Sequence, residues 1–216
     1  MGEHGQQEMI QQYNIKENFN KEMAELIIDA WKIDYNKVFH LKNDNLTENI
    51  RDFYEAIGNT IGEYKFLAED VKLGDRSSQK ANKIWMEVRY DSNIKDAYRH
   101  SSNPQPLHTD GSYIPNFPNA SIMCCVSNTA SGGETIFLEL NKLEEILKED
   151  NPELLEFLFT EEILHERSGY TNRSKILYWE NRKLKINFNY YCVSKQNSER
   201  SLKYIENFFD FLNTSE

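Results

Sequence analysis

The chain has 216 residues, 39% of them hydrophobic and 12% aromatic, and this length favours one domain with a substantial core. Its formal net charge of −10 argues against nucleic acid as a partner, since phosphate binding needs a basic surface. No apolar run approaches the length of a membrane span, so we expect no membrane segment.

The N-terminal residues and the cysteines indicate a compartment. Residues 1–12 are polar and lack the basic-then-apolar layout of a signal peptide, and we expect residues 1–17 to form a flexible tail. The three cysteines, Cys124, Cys125 and Cys192, contain no C-x-x-C pair, so neither a zinc finger nor a disulfide framework is predicted. We interpret them as small buried apolar residues of a protein in the reducing cytoplasm.

The first third of the chain is predicted to be helical. Residues from about 20 to 40 carry apolar side chains at helical spacing. A second helix is indicated by Asn45 and Glu48, which can form a capping box, and by an apolar face that includes Phe53 and Ile57. Gly58 is a suitable residue to end that helix.

Short strands are predicted in the middle of the chain. Residues 84–90 are rich in aromatic and β-branched side chains, and residues 121–127 form the near-continuous apolar run of a strand buried on both faces. Ser131-Gly132-Gly133 predicts a turn, after which residues 134–140 alternate as in another strand.

Two short helices follow in the pattern. Asn141 and Glu144 are spaced to cap the first of them. Asn151 followed by Pro152 at the first helical position indicates the start of the second.

The C-terminal part is predicted to contain a hairpin and a helix. Residues 174–179 and 183–189 are expected to pair around Glu180-Asn181-Arg182, and residues 199–212 carry one apolar face at helical spacing. Helices first and many short strands later predict an α+β fold, built on an antiparallel sandwich or barrel and organised as a single domain, residues 1–216.

The most informative residues are His108 and Asp110, in the segment Gln105-Pro106-Leu107-His108-Thr109-Asp110-Gly111. Side chains two residues apart on an extended segment project to the same side. One imidazole and one carboxylate are then directed at one point. These are two of the three ligands in the facial triad, two histidines and one carboxylate, that holds non-haem Fe(II). Downstream, Gly132-Gly133-Glu134-Thr135 completes the pattern, and Thr135 lies 25 positions after Asp110.

With these two motifs in this order, the chain resembles the taurine dioxygenase-like family (TauD/TfdA, clavaminate synthase-like) of Fe(II)- and 2-oxoglutarate-dependent oxygenases. Members carry an H-[TS]-D element, an apolar strand and a G-G-[DE]-T element at this separation. Leu184-Lys185-Ile186-Asn187-Phe188-Asn189 is also similar to a strand of the family, so the resemblance covers roughly Gly58 to the C-terminus. It implies a double-stranded β-helix, or jelly roll, with flanking helices.

The resemblance also implies roles for three residues. His108 and Asp110 would ligate Fe(II), and the Thr135 hydroxyl would hydrogen-bond a carboxylate of 2-oxoglutarate. The chemistry agrees, because imidazole and carboxylate suit Fe(II) and a short hydroxyl can donate to an anion. In related halogenases a small residue stands at the aspartate position, so Asp110 favours hydroxylation or desaturation.

The second histidine ligand and the 2-oxoglutarate arginine of the family lie on strands that follow a helix resembling residues 199–212. We therefore expect a truncated C-terminus that lacks the last strands. His165, the only histidine after Asp110, is a candidate substitute ligand; the alternative is a histidine packed or solvated near a helix end. Arg167, Arg173 and Arg182 are possible carboxylate partners, and nothing in the sequence selects one of them.

The expected function is oxidation of a small polar substrate such as an amino acid, using O2 and coupled to decarboxylation of 2-oxoglutarate to succinate. The alternative is a catalytically incomplete homologue or fragment that acts as a binding module. Such a protein could be completed by a second copy or by another chain, so a homo-oligomer or a completing partner is also expected.

Overall fold

The computed structural model describes residues 9–14, 25–30, 37–42, 49–64, 85, 88–93, 100–118, 120–127 and 131–214. The chain divides into two compact units. Unit 1 comprises Met1–Lys65 and Asn119–Glu139, and unit 2 comprises Phe66–Pro118 and Leu140–Glu216. The prediction of a single domain is not decided by this division and stays a prediction.

Unit 1 contains a parallel strand pair. Strand β1 (Ile10–Asn14) pairs with β2 (Val38–Lys42), with Ile10 opposite Val38, and residues 25–30 between them are helical. Two expectations were wrong here. Residues 10–14 are part of a sheet and not of a flexible tail, and the helix expected up to residue 40 gives way to β2, whose branched and aromatic residues suit a strand.

Helix α1 (Ile50–Ile61) buries the predicted apolar face, Phe53 and Ile57, in the small core of unit 1. Its N-cap is Asn49, whose side chain accepts a hydrogen bond from the Arg51 amide; the predicted capping box at residues 45–48 lies outside the described residues. Gly58 does not end the helix. A side chain at Gly58 would collide with the Tyr64 ring, which packs against it, so this glycine permits a close approach.

The two strands predicted around the double glycine are also wrong. Residues 121–127 and 134–139 adopt no regular structure and most of their side chains are exposed. An apolar run forms a buried strand only when neighbouring strands pair with it, and no described residues pair with these. The turn is borne out by the backbone, since Gly132 and Gly133 have φ of 83° and 85°, a region that favours glycine.

The C-terminal segment of unit 2 starts with two helices. Helix α2 (Leu140–Asp150) starts one residue before the predicted cap, and α3 (Pro152–Thr160) starts as predicted. The Asn151 side chain accepts from the Leu154 amide at 3.1 Å, and Pro152 occupies the first helical turn, where its missing N–H has no cost.

Two antiparallel hairpins follow the helices. The first, β3 (Glu162–Arg167) with β4 (Tyr170–Lys175), was not predicted, because its sequence is too polar for the expected alternation. The second, β5 (Leu177–Glu180) with β6 (Lys183–Ile186), confirms the predicted hairpin. Asn181 and Arg182 turn between its strands with φ of 49° and 62°, as a two-residue hairpin turn requires.

Helix α4 (Glu199–Thr214) confirms the predicted C-terminal helix and covers the core of unit 2. It contacts α3 and the short 3-10 helix Tyr190–Cys192, and Phe208 stacks obliquely on Phe188. The core consists of apolar residues from both hairpins and all three helices of this unit: Leu143, Leu147, Leu154, Phe157, Leu158, Ile163, Ile176, Leu177, Leu184, Phe188, Ile205 and Phe208.

The free edge of β3 is covered by hydrogen bonds from the Asn197 side chain and from the backbone of residues 193–194. The Asn197 carboxamide accepts from the Leu164 amide and donates to the Leu164 carbonyl, both at 2.9 Å. The Ser194 amide donates to the same carbonyl, and His165 forms an isolated bridge with Val193. The segment after the 3-10 helix thus occupies the position of a third strand.

The described elements are a mixture of helices and three two-stranded sheets, which agrees with the α+β expectation at that level. The implied jelly roll stays a prediction. Trp85 and residues 88–90, inside the strand predicted for 84–90, have no regular structure. Among the described residues, no helix combines the length and the apolar character needed to span a bilayer.

Candidate functional site

His108 and Asp110 meet in unit 2, as their two-residue spacing predicts. The His108 Nε2 lies 3.2 Å from the Asp110 Oδ1. The His108 Nδ1 lies 2.8 Å from the Pro106 carbonyl, which can only accept, so Nδ1 carries a proton. In the neutral ring Nε2 is then an acceptor, and the Gln105 amide nitrogen lies 2.9 Å from it; in the imidazolium Nε2 carries a proton that it can donate to the Asp110 carboxylate.

Thr109 fixes the direction of this pair. Its amide donates to the Phe188 carbonyl at 2.6 Å, and its hydroxyl accepts from the Phe188 amide at 2.8 Å and lies 3.2 Å from the same carbonyl. Phe188 is 1% exposed in the core of unit 2. Because Thr109 faces the core through Phe188, its two neighbours in the chain project the other way.

The backbone after Asp110 turns sharply and is held by two amides. Gly111 has φ of 62°, packs against the Phe117 ring and accepts from the Ile114 amide at 2.8 Å. The Ser112 carbonyl accepts from the Asn172 and Asn187 carboxamides at 3.0 and 3.1 Å. The turn is thus tied to β4 and to the end of β6.

The electrostatics of the pair favour a shared cation. A neutral imidazole and an ionised carboxylate direct lone pairs at each other, and a proton or a metal ion between them removes that repulsion. Accordingly, the hydrogen bond to Asp110 raises the pKa of His108 above its usual value, against the opposing effect of partial burial. The Asp110 side chain is 61% exposed, so the pair opens outward.

The arrangement fits a divalent metal ion. An octahedral ion that binds nitrogen and oxygen at about 2.1 Å places adjacent ligands about 3.0 Å apart. The 3.2 Å separation of Nε2 and Oδ1 is close to that value. A histidine that binds a metal ion commonly donates its other ring N–H to a backbone carbonyl. The Nδ1–H of His108 makes such a hydrogen bond with the Pro106 carbonyl.

A third ligand does not join this pair among the described residues, where no three His, Cys, Asp or Glu side chains are grouped to hold a metal ion. His165, the candidate substitute, lies on β3 and is completely buried. It is therefore packed, as the alternative interpretation had it, although in a strand and not at a helix end. Burial lowers its pKa to about 4, against the effect of the Ile163 backbone.

Thr135 belongs to unit 1, where its side chain is exposed on the irregular segment after the double glycine. Its role towards 2-oxoglutarate stays a prediction. Of the candidate arginines, Arg173 lies with its Nη1 3.5 Å from the Glu162 carbonyl across the β3–β4 hairpin, and Arg182 forms the β5–β6 turn. Neither arrangement singles out a carboxylate partner.

Sequence reasoning missed the residues that orient the pair: Gln105, Pro106 and Phe188. Pro106 lies two residues before His108 and offers a carbonyl within reach of its own ring, a local signal that was available. The contact of Thr109 with Phe188 spans 79 positions and had no local signal. The prediction that the cysteines are buried is confirmed for Cys192 and wrong for Cys125, which is exposed.

Comparison with known proteins gives one family. Residues 12–202 match the family model described as taurine catabolism dioxygenase TauD, TfdA family. Neither the comparison with curated proteins nor that with solved structures gave a match. The matched range covers most of the chain and includes both motifs.

Proposed function

Because the chain belongs to the TauD, TfdA family of taurine catabolism dioxygenases, we propose that it is an Fe(II)- and 2-oxoglutarate-dependent oxygenase. Members of this family are in general dioxygenases that use iron and 2-oxoglutarate. The proposed reaction hydroxylates or desaturates a small polar substrate such as an amino acid, consumes O2 and yields succinate. The proposed fold is the jelly roll with flanking helices.

The observation that supports this proposal best is the meeting of His108 Nε2 and Asp110 Oδ1 at 3.2 Å, with the other ring nitrogen satisfied by a backbone carbonyl. These two side chains would hold Fe(II). Iron and 2-oxoglutarate, when bound, would activate O2, which is the oxidant for an unactivated C–H bond, and the chain would position the reacting groups. The hydroxyl of Thr135 is proposed to donate to a carboxylate of 2-oxoglutarate.

The remaining residues of the site orient the two proposed ligands, His108 and Asp110. The Pro106 carbonyl fixes the ring nitrogen that carries the proton, and Thr109 fixes the backbone between the two ligands. A ligand pair held before the metal arrives loses little conformational freedom on binding, which favours affinity. The substrate is proposed to approach the pair from the exposed side of the Asp110 carboxylate.

A second candidate function is a binding module without turnover, or a chain completed by a second copy or another protein. One observation favours it: the described residues bring two metal ligands together and no third. Two ligands hold a divalent ion less firmly than three, so such a protein would bind iron weakly on its own.

The test is an anaerobic titration of the purified chain with Fe(II) and 2-oxoglutarate, followed by an assay for succinate with a panel of amino acids. We expect a metal-to-ligand charge-transfer band that His108→Ala and Asp110→Ala abolish. His40→Ala, which removes an exposed histidine of β2, is the matched control and should leave the band unchanged. Full iron affinity in either site variant would contradict the assignment, and a band without succinate in any condition would favour the binding module.

A further inference from the structure

Two completely buried polar side chains in unit 2 have no hydrogen-bond partner within the described part of the chain. They are His165, at both ring nitrogens, and Ser112, at its hydroxyl; both residues have 0% of their surface exposed. The Ile163 backbone is close enough to oppose the lowering of the His165 pKa, but it makes no hydrogen bond of normal geometry with the ring. A buried polar group without a partner costs about 1–3 kcal/mol, so native proteins almost always satisfy such groups, with ordered water where no side chain reaches.

Both residues are linked to Asn172, His165 through strand pairing and Ser112 through its main-chain carbonyl. His165 on β3 is directly opposite Asn172 on β4, so the two side chains project from the same face of the hairpin. The Asn172 carboxamide in turn donates to the Ser112 carbonyl at 3.0 Å. Asn172 thus brings the buried imidazole and the backbone of Ser112 to the same part of unit 2, between the β3–β4 hairpin and the turn after Asp110.

The chemistry of this region selects its occupant. The buried imidazole is neutral near pH 7, so it offers one donor and one acceptor, and a hydroxyl offers the same. An ion is disfavoured, because a buried charge is costly and no three metal-ligating side chains are grouped among the described residues. A small neutral molecule that both donates and accepts suits the two groups, and water is the common one in protein interiors.

We propose that the His165 imidazole and the Ser112 hydroxyl bind a buried water molecule that bridges β3 to the turn following Asp110. The water adds a third tie to the two carboxamides that already hold the Ser112 carbonyl. It is a positioning element for the backbone that carries the His108–Asp110 pair. The site is independent of iron, so it can exist whether or not the chain is an oxygenase.

The test uses the metal-free chain with 13C,15N-labelled histidine. Magnetization transfer from water to the His165 ring protons is expected to have the sign of a long-lived bound water, whereas the exposed His40 ring contacts only rapidly exchanging solvent. Absence of a long-lived water at His165 in the wild type, or a ring nitrogen bonded directly to a protein group, would overturn the proposal. This result needs no variant and no activity.

Ser112→Ala tests the bridge, with an amide correlation spectrum to confirm the fold. The long-lived water signal should be lost, and the Thr109 amide, which donates to Phe188, should exchange with solvent roughly 5- to 10-fold faster. Ser112→Thr keeps the hydroxyl and should restore both readouts. If the water signal persisted in Ser112→Ala, or if loss of the water left the exchange of Thr109 unchanged, the bridging role would be wrong.

Discussion

Thr109 and Phe188 are joined by hydrogen bonds in both directions although 79 positions separate them in the chain. The amide of each donates to the other, to a carbonyl in one case and to a hydroxyl in the other. Phe188 packs in the core against Phe208 of α4. The proposed iron ligands on either side of Thr109 are therefore anchored to the core by a residue that binds no ligand itself.

Thr109→Val should destabilise the fold and weaken the site. Valine keeps the shape but leaves the Phe188 amide without its acceptor, at a cost of about 1–3 kcal/mol in the free energy of unfolding. Urea unfolding of the metal-free chain measures that cost. Thr109→Ser retains the hydroxyl and should lose much less; equal losses in the two variants would mean that the methyl group, and not the hydrogen bond, is what matters.

Asp110→Asn should lower the pKa of His108 in the metal-free chain. The hydrogen bond to the carboxylate is the main cause of the raised pKa, and a neutral amide supports the imidazolium far less. A histidine titration by NMR gives the value in both proteins. Asp150→Asn, which changes an exposed carboxylate at the end of α2, serves as the control. An unchanged His108 titration in Asp110→Asn would show that the two groups do not interact in solution.

Thr135→Ala should weaken the binding of 2-oxoglutarate if the proposed function holds. A hydrogen bond to a charged carboxylate is worth about 1.5–3 kcal/mol, which corresponds to roughly 10- to 150-fold in affinity. Titration of the iron-loaded protein with 2-oxoglutarate measures the change. Thr135→Ser should cost much less, and equal affinity of wild type and alanine variant would remove Thr135 from the site.

Stability should fall as the pH drops from about 6.5 towards 4, because of His165. Its pKa is about 4 in the folded chain and about 6.5 when unfolded, so between these values the unfolded chain binds the extra proton. The contribution is complete above pH 6.5 and declines by up to about 1.4 kcal/mol per pH unit below it. From pH 7 to pH 5 the loss should be roughly 2 kcal/mol.

The comparison that isolates this contribution is His165→Gln. Urea unfolding at pH 7 and pH 5 gives the change in stability for each protein, and the variant should lack the part that His165 supplies. A fall of the same size in both proteins would place the pH dependence on other groups.

Local signals in the sequence predicted local structure well. Asn151 with Pro152 starts α3 because a cap and a fixed φ act within one turn, and Asn181 suits the turn of the second hairpin because asparagine tolerates a positive φ better than most residues. The same applies to the site, where the meeting of His108 and Asp110 needs only the two-residue period of an extended backbone.

Errors arose where a partner distant in sequence decides the structure. Residues 38–42 join a strand because residues 10–14 lie beside them, which helical spacing in the sequence did not indicate. Gly58 continues a helix because Tyr64 needs room, although glycine is a common helix stop. Hydrogen-bond partners such as Phe188 for Thr109, or Asn172 for Ser112, depend on tertiary contacts that composition and periodicity do not encode.

The carboxamide of Asn197 has a consequence for solubility. A strand edge with free N–H and C=O groups invites pairing with the edge of another molecule, the first step of many aggregates. On β3, the Asn197 side chain hydrogen-bonds the amide and the carbonyl of Leu164. The Ser194 amide donates to the same carbonyl, and Val193 bridges to His165. Asn197 is thus the side chain that occupies the Leu164 amide, and with Ser194 and Val193 it protects the middle of this strand against intermolecular pairing.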